Sequence, residues 1–373
     1  MWVWECGSGS VGVWECGLCF AFETSFWLGH LCANGYLVAV HMIMDNTERV
    51  SALSLLSGGL DSQLAVCVLK KQGVNVSGVV FDSPFFNIAP ARAAADHLGI
   101  HLHVINFSAD IISLVKNPKH GHGSCMNPCI DCHALMLRRA GELMEEMGFD
   151  FLGTGEVLDE RPMSQNRRSL AVVAKESGYG KLVVRPLSAQ LLPETKPEQM
   201  GWVSRSRLLA LRGRGRKPQM ELAEEYGLKA FPSPAGGCLL TEPNFCRRLE
   251  DLKEHEGLNG VRSINMLRVG RHFRLRRDLK LVVGRNEGDN VVLEGNAELY
   301  DLVLKVEDIP GPTGLIPHTA GEEDLRLGAA ICARYSDAPD GEPVAVRIRS
   351  AREVRRIEVV AADKDKVEQL RIG

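Results

Sequence analysis

Two sets of residues in this chain have types and spacings that could do chemistry. The first is Ser57-Gly58-Gly59-Leu60-Asp61-Ser62, with an apolar segment (50–56) before it and a helical pattern (63–71) behind it. A strand that turns through two glycines into a helix points backbone N–H groups outward. The helix dipole adds positive potential, so the turn predicts an anion site. Gly58 and Gly59 let a phosphate come close to the backbone, and Ser57 and Ser62 add hydroxyl groups. No Gly-Lys-Ser/Thr follows, so this is not a Walker loop. The second set is three cysteines. Asn127-Pro128 makes a turn, after which Cys129 and Cys132 sit one helical turn apart at the start of a helix. Thiols placed there ionise more readily, which makes them better nucleophiles and better metal ligands. Cys238 follows Gly236-Gly237, a turn that exposes its thiol. The pair alone leaves zinc, iron–sulfur and redox-dithiol chemistry open.

These residues need a scaffold, and the surrounding pattern supplies an α/β one. Short apolar strands at 50–56, 76–83 and 151–156, and a strand at 101–107 read from its polar–apolar alternation, alternate with helical stretches at 63–71, 89–98 and 136–147. Gly99 and Gly148 close the last two helices. Such alternation predicts a parallel sheet with helices on both faces, and ligands on such a sheet sit at the carboxyl ends of the strands. Three polar sites fall at those ends: the Ser57–Ser62 loop, Asp82-Ser83, and Thr154-Gly155-Glu156.

S-G-G-x-D-S on a strand–helix turn resembles the pyrophosphate loop of the PP-loop ATP pyrophosphatase family. N-P-C-x-x-C-H behind it resembles the tRNA thiouridine synthases of the 2-thiouridine and 4-thiouridine type. The resemblance implies an adenine nucleotide α-hydrolase-like fold and an ATP-dependent tRNA sulfurtransferase using ATP and Mg²⁺. In such enzymes ATP adenylates a uracil oxygen and sulfur then displaces AMP. Carried over by motif, Ser57, Gly58, Gly59, Asp61 and Ser62 would hold the pyrophosphate, with Asp61 orienting Mg²⁺ or a loop hydroxyl. Asp82, Gly155 and Glu156 would line the nucleotide pocket. Cys129, Cys132 and Cys238 would be catalytic and would hold a 4Fe–4S cluster with one iron open to sulfide. The sulfur would come from a persulfide carrier or free sulfide, and the target uridine would be turned out of its stack. Two other readings use the same loop: an amidotransferase or ligase that activates a carbonyl with ATP, and a non-catalytic RNA-binding protein with a relic loop. The first leaves the cysteines unexplained, and the intact motif speaks against the second. Cys125, Cys129 and Cys132 also spell the C-x₃-C-x₂-C spacing of radical-SAM enzymes, but they follow a pyrophosphate loop rather than an early barrel strand. Cys125, Cys129, Cys132 and His133 form an alternative zinc set, and Cys125 could otherwise be a fourth cluster ligand, a sulfur relay or neutral. Cys67, Cys246 and Cys332 read as small buried hydrophobes.

Farther along, Arg185-Pro186-Leu187 with Lys196 resembles a stretch of thiolation enzymes that faces phosphate. The run 204–217 holds Arg205, Arg207, Arg212, Arg214, Arg216 and Lys217 with no acid, which predicts an RNA-facing linker at 201–245. Polar residues 161–168 are candidates for the same contact. From 246 onward, helix gives way to short strands, a smaller α+β domain. Gly284-Arg285-Asn286 with Asn290, and Asp308-Ile309-Pro310-Gly311-Pro312 after it, resembles the NFACT-type RNA-binding domain. Leu302-Val303-Leu304 stands where that family has Trp-x-His. Arg268, Arg271, Arg274, Arg276, Arg277 and Lys280 offer phosphate contacts.

The bulk numbers fit this division. A length of 373 residues suits two or three domains, and 45% apolar with 24% charged residues is ordinary for a globular protein. A net charge of −3 confines any nucleic-acid surface to a local patch. No apolar run is long enough to span a membrane. The 11 cysteines, in a chain expected to be cytoplasmic, read as metal or redox chemistry rather than a disulfide scaffold. Residues 1–48, Trp- and Cys-rich with a repeated V-W-E-C-G, read as a non-native or disordered extension ahead of the nucleotide domain at 49–200. Translation would then start at Met42 or Met44. Cys6, Cys16, Cys19 and Cys32 lack a regular ligand spacing. A homodimer is left open.

Overall fold

The structure is a computed structural model that describes residues 28–31, 37–40, 50–232, 238–298 and 301–373. The chain divides into two units, 1–49 and 50–373. In the first, β1 (Leu28–Leu31) pairs antiparallel with β2 (Leu37–Val40), Leu28 opposite Val40. The alternative starts Met42 and Met44, and the glycine turn Gly236-Gly237 before Cys238, lie outside the described residues.

The second unit begins with a five-stranded parallel sheet, the architecture that the alternation predicts. Its members are β3 (Ser51–Leu55), β4 (Asn75–Asp82), β5 (Leu102–Asn106), β6 (Phe151–Gly153) and β7 (Val183–Val184), in the order β5-β4-β3-β6-β7. Period-two alternation sends neighbouring residues to opposite faces. Leu53, Leu152 and Val183 enter one core, with Ile111 and Val115 of α3 (Ser108–Lys116), Leu137 and Met144 of α4 (Cys129–Met147) and Val173 of α5 (Arg167–Ser177). Ala52, Phe151 and Val184 enter the other. They meet Leu64 and Val68 of α1 (Leu60–Lys70), Ala94 and Ala95 of α2 (Ala89–Leu98) and, beyond the short α6 (Lys196–Gln199), Ala223 of α7 (Lys217–Glu225). Burial on both faces explains why β3, β4 and β6 read as largely apolar runs, whereas the edge strand β5 keeps its polar–apolar alternation. The order reverses between β3 and β6, so the crevice at their carboxyl ends is the natural ligand site of such a sheet.

Two helices continue the first core rather than begin a new one. Phe245, Cys246, Leu249 and Leu252 of α8 (Pro243–His255) and Ile264 of α9 (Val261–Met266) pack with Phe85, Cys132 and Leu137. The second sheet starts after them. It is antiparallel and seven-stranded: β8 (Arg271–Arg276), β9 (Leu279–Val283), β10 (Asp301–Val306), β11 (Thr313–Pro317), β12 (Pro343–Arg349), β13 (Val354–Val360) and β14 (Arg371–Ile372), in the order β13-β12-β10-β11-β9-β8-β14. Helix α10 (Glu287–Gly295) follows β9, and α11 (Glu322–Arg334) and α12 (Lys364–Leu370) bury Leu325, Ile331, Cys332 and Val367 against the sheet. Cys332 is thus the small buried hydrophobe expected of it.

The G-R-N-x₃-N stretch is structural. The Asn286 side chain caps α10 by accepting from the Asp289 N–H at 2.9 Å, and Asn290 Oδ1 accepts from the Thr313 N–H at 2.9 Å. A Cβ at Gly284 would overlap that Asn290 oxygen. Among the described residues no helix is long and apolar enough to cross a membrane.

Candidate active site

The first sheet delivers its polar loops to one edge. Ser57–Ser62 leaves β3, and α1 starts with Gly59 at its N-cap and no side chain capping it, so its first N–H groups face outward. Gly58 sits at φ +81°, and a Cβ there would overlap the Pro90 backbone, so the position needs glycine. The loop is held from within. Ser62 Oγ donates to the Gly59 carbonyl at 2.8 Å, Ser57 Oγ donates to Ser62 Oγ at 3.3 Å, and Gln63 Nε2 donates to the Gly58 carbonyl at 2.8 Å. Gly155, across the crevice after β6, lies against the same turn. A Cβ there would stand 2.6 Å from Ser62 Cα. Tight packing fixes the turn, and the α1 start, with no side chain capping it, fits a phosphate chain in kind.

Asp61 faces into the unit with Arg216, whose Nη2 is 3.8 Å from its carboxylate. Its Oδ1 is buried with no hydrogen-bond partner, as are Arg216 Nε and Gln219 Oε1 nearby. Burial raises the Asp61 pKa against the pull of Arg216, and burial with the charge of Asp61 likewise raises Glu160. Asp61 and Glu160 feel each other's charge, and Arg216 and Arg161 act on both; such carboxylates beside an anion loop fit in kind the hard-cation site of a metal–nucleotide, where one or two carboxylates and the phosphates share the ion.

Arg216 was expected to face RNA, and most of its basic run is likewise engaged at home. Arg205 pairs with Glu198 at 2.5 Å, Arg207 donates to the Lys71 carbonyl, and Arg212 pairs with Asp159 at 2.7 Å. The local sequence lacks acids, but other elements bring them, so the run is not a free polyanion face. Arg214 stays exposed. The same correction applies to the second sheet. Arg274 pairs with Asp251 and Glu256, Arg276 with Asp278 and Asp324, and Lys280 with Glu256.

Glu156 lies beneath the crevice rather than lining it. It accepts from Arg185 Nε at 2.8 Å and from Thr154 Oγ1 at 3.1 Å, and it meets His133 Nδ1 at 3.2 Å. Burial pushes its pKa up, but Arg185 and His133 outweigh burial and hold it at about 2. Arg185 is buried, not a surface charge, and its Nη2 has no partner. Asp82, by contrast, is exposed at the end of β4, where its charge acts on Arg268.

The three cysteines come to one neighbourhood. Cys129 opens α4, and Asn127 Nδ2 donates to its Sγ at 3.0 Å. Cys238 is brought in by the loop after β4, through a bridge with Phe86 and the Leu239 N–H donated to the Phe85 carbonyl at 3.2 Å. Cys132 feels the charges of both Cys238 and Cys129. The acidification expected of Cys132 at the helix start fails, and the thiol of Cys238, expected to be exposed, is largely buried. Burial, reinforced by the neighbouring thiols, pushes Cys132 well above its ordinary value, and burial pushes Cys238 up to about 12. The helix N-terminus cannot offset a site closed off from water. Soft donors in one neighbourhood fit a three-cysteine cluster in kind. Among the described residues, however, no three His, Cys, Asp or Glu side chains are already arranged around a metal position. Cys125 turns to Cys246 instead, whose thiol burial and that contact push up to about 12. His133 turns to Glu156, so the alternative zinc set is not assembled.

Sequence reasoning missed Glu160 and Arg216 beside Asp61, the link of His133 to Glu156, and the Cys125–Cys246 pair. Only the basic run and the C-x-x-C-H stretch carried any signal for them.

Residues 50–177 match the tRNA methyl transferase HUP domain, and residues 270–371 match the NFACT protein RNA binding domain. The tRNA-specific 2-thiouridylase MnmA 2 of Clostridium botulinum (strain Loch Maree / Type A3) is 25% identical over 79% of this chain and 86% of its own. The tRNA-specific 2-thiouridylase MnmA of Methylobacterium nodulans is 27% identical over 80% of each. A solved 4-thiouridine synthetase–RNA complex with bound ATP overlaps 48% of this chain and 52% of its own at 23% identity and a TM-score of 0.31. The chain thus joins a segment matching the tRNA methyl transferase HUP domain to one matching the NFACT protein RNA binding domain.

Proposed function

We propose that this protein is an ATP-dependent tRNA sulfurtransferase that converts a uridine carbonyl to a thiocarbonyl. The observation that carries the reading is the meeting, at one end of one parallel sheet, of a phosphate cradle and three thiols. A uracil oxygen attacks the α-phosphorus of ATP, the α–β bond breaks and pyrophosphate leaves. The Ser57–Ser62 turn and the α1 dipole stabilise the charge that builds on the leaving group. Asp61 and Glu160 would hold Mg²⁺, which neutralises that charge when bound. Arg185, fixed by Glu156, supplies a buried donor at the adjacent strand end.

Sulfur arrives on Cys129 as a persulfide from a sulfane-sulfur donor, and Asn127 holds the Cys129 Sγ that carries it. Its terminal sulfur attacks the adenylated carbon and AMP leaves. The thiol of Cys132 or Cys238 then attacks the Cys129 sulfur. The S–S bond to the base breaks, its electron pair stays with the sulfur left on the base, and an intramolecular disulfide forms, which an external thiol reduces. The same three cysteines would hold a 4Fe–4S cluster, which when bound offers an open iron for sulfide.

The test separates the two halves. Asp61→Ala or Ser57→Ala should abolish pyrophosphate release from ATP with unmodified tRNA. Cys129→Ser should release pyrophosphate but yield no thiouridine by nucleoside mass spectrometry. Wild-type protein that releases no pyrophosphate with tRNA would defeat the reading. A brown colour with absorbance near 400 nm after anaerobic purification would select the cluster route.

A further inference from the structure

A cavity of about 370 Å³ lies where the first core meets the second sheet. Phe85 and Asn87, from the loop after β4, form one wall, and Leu239 and the start of α8 form another. Three arginines turn into it: Arg248 from α8, Arg268 from the turn after α9, and Arg285 from the turn after β9. They are braced by backbone. Arg248 Nη1 donates to the Leu267 carbonyl at 2.9 Å, Arg268 to the Pro84 carbonyl, and Arg285 Nη2 to the Arg268 carbonyl at 3.0 Å.

Charge in the cavity is incompletely balanced. Arg285 pairs with Asp289 at 2.7 Å, and Asp82 acts on Arg268. Glu242, on the wall, spends both carboxylate oxygens capping α8 through the Asn244 and Phe245 N–H groups. Arg248 forms no ion pair among the described residues, and its Nε is buried without a hydrogen-bond partner. Burial and the charges of Arg285, Arg371 and Arg247 press against its ionisation, and the Glu242 carboxylate offsets only part of that. A half-buried guanidinium whose Nε–H is buried without a partner favours an anion, and the guanidinium fork matches phosphate oxygens. The volume is that of a small-molecule site, room for a phosphate with its sugar.

Placement decides which phosphate. Leu239 is the residue after Cys238, and Asn87 the residue after its bridging partner Phe86, so the cavity shares a wall with the thiols. Arg285 belongs to the segment matching an RNA binding domain, whereas Arg248 and Arg268 lie between the two matched segments. We propose that Arg248, Arg268 and Arg285 form a clamp for a phosphodiester of the RNA substrate, holding the strand beside the thiol site. This rests on the tRNA reading above.

The experiment is tRNA binding by Arg248→Gln, Arg248→Lys and Arg285→Gln across a series of salt concentrations. Each Gln variant should weaken binding and lower the slope of log K against log salt by about one, the effect of one lost phosphate contact, while Arg248→Lys keeps most of the slope. Arg285 is 42% exposed, so its variant carries the test even if Arg248→Gln does not fold. Unchanged slopes with intact tRNA binding would overturn the clamp alone. A fall in ATP affinity at unchanged slope would assign the cavity to a nucleotide phosphate and overturn it too. Wild-type protein that binds no tRNA would overturn the function and the clamp together.

Discussion

Glu156 offers the sharpest test of how the crevice is held. Its pKa is about 2 in the folded protein against an ordinary value of 4.5. At about 1.4 kcal/mol per pH unit, that gap corresponds to roughly 3 kcal/mol of stability at pH 7. The sign follows from the direction. A carboxylate depressed by folding stabilises above its ordinary value, and the contribution is lost as pH falls from 4.5 toward about 2. About 2 kcal/mol should be gone by pH 3. Glu156→Gln removes the charge and leaves Arg185 buried without its counter-ion, a change that typically costs ~3–5 kcal/mol. Urea unfolding followed by circular dichroism at pH 7 and pH 3 measures both effects. The variant should be less stable at pH 7 and should lose less than wild type between the two pH values. The double variant Glu156→Gln/Arg185→Met, which buries no charge, should recover part of the loss. If Glu156→Gln loses as much stability as wild type on acidification, the carboxylate is not the group that Arg185 and His133 hold ionised.

Two further outcomes follow from the same geometry. At pH 8 iodoacetamide should modify Cys129 before Cys132 and Cys238 in peptide maps, since a thiol near 12 is ionised only on the order of one part in ten thousand there; equal rates would mean that the thiols are not shut from water. Gly155→Ala should weaken ATP binding tenfold or more and cost ~1–3 kcal/mol, because its Cβ would stand 2.6 Å from Ser62 Cα in the cradle; unchanged ATP affinity would separate Gly155 from the site.

The sequence was most legible where chemistry is local. The Ser57–Ser62 turn, the opening of α4 by Cys129 and the parallel sheet all follow from short-range pattern, because each depends on neighbours a few residues apart. What escaped is what depends on distant partners. Nothing near Arg216 in the chain announces Asp61, so a run without local acids read as an RNA face. Glu156 sits at a strand end, which read as a pocket position, yet His133 from α4 and Arg185 from β7's end draw its charge beneath the crevice. The thiol acidity failed for a related reason. Position at a helix start is visible in sequence, but burial is not, and burial wins for Cys132.

These misses share a direction that bears on mechanism. Three basic groups expected to face phosphate or RNA, Arg185, Arg212 and Arg216, are instead paired with acids. With a net charge of −3, the chain cannot attract RNA by overall field, so recognition must come from guanidinium groups left short of counter-ions. Arg248 is such a group, and it lies beside the thiols rather than beside the ATP loop. On the proposed reading, the charge distribution keeps two phosphate sites apart. Near Asp61 and Glu160, two carboxylates that feel each other's charge suit phosphate that arrives with a cation, as ATP does, with Arg216 and Arg161 offsetting part of their charge. Around Arg248, a guanidinium with no ion pair among the described residues and an unpartnered Nε favours phosphate that arrives bare, as an RNA backbone does. A protein with both, and thiols against the second, can hold its nucleotide and its RNA at once without either anion displacing the other.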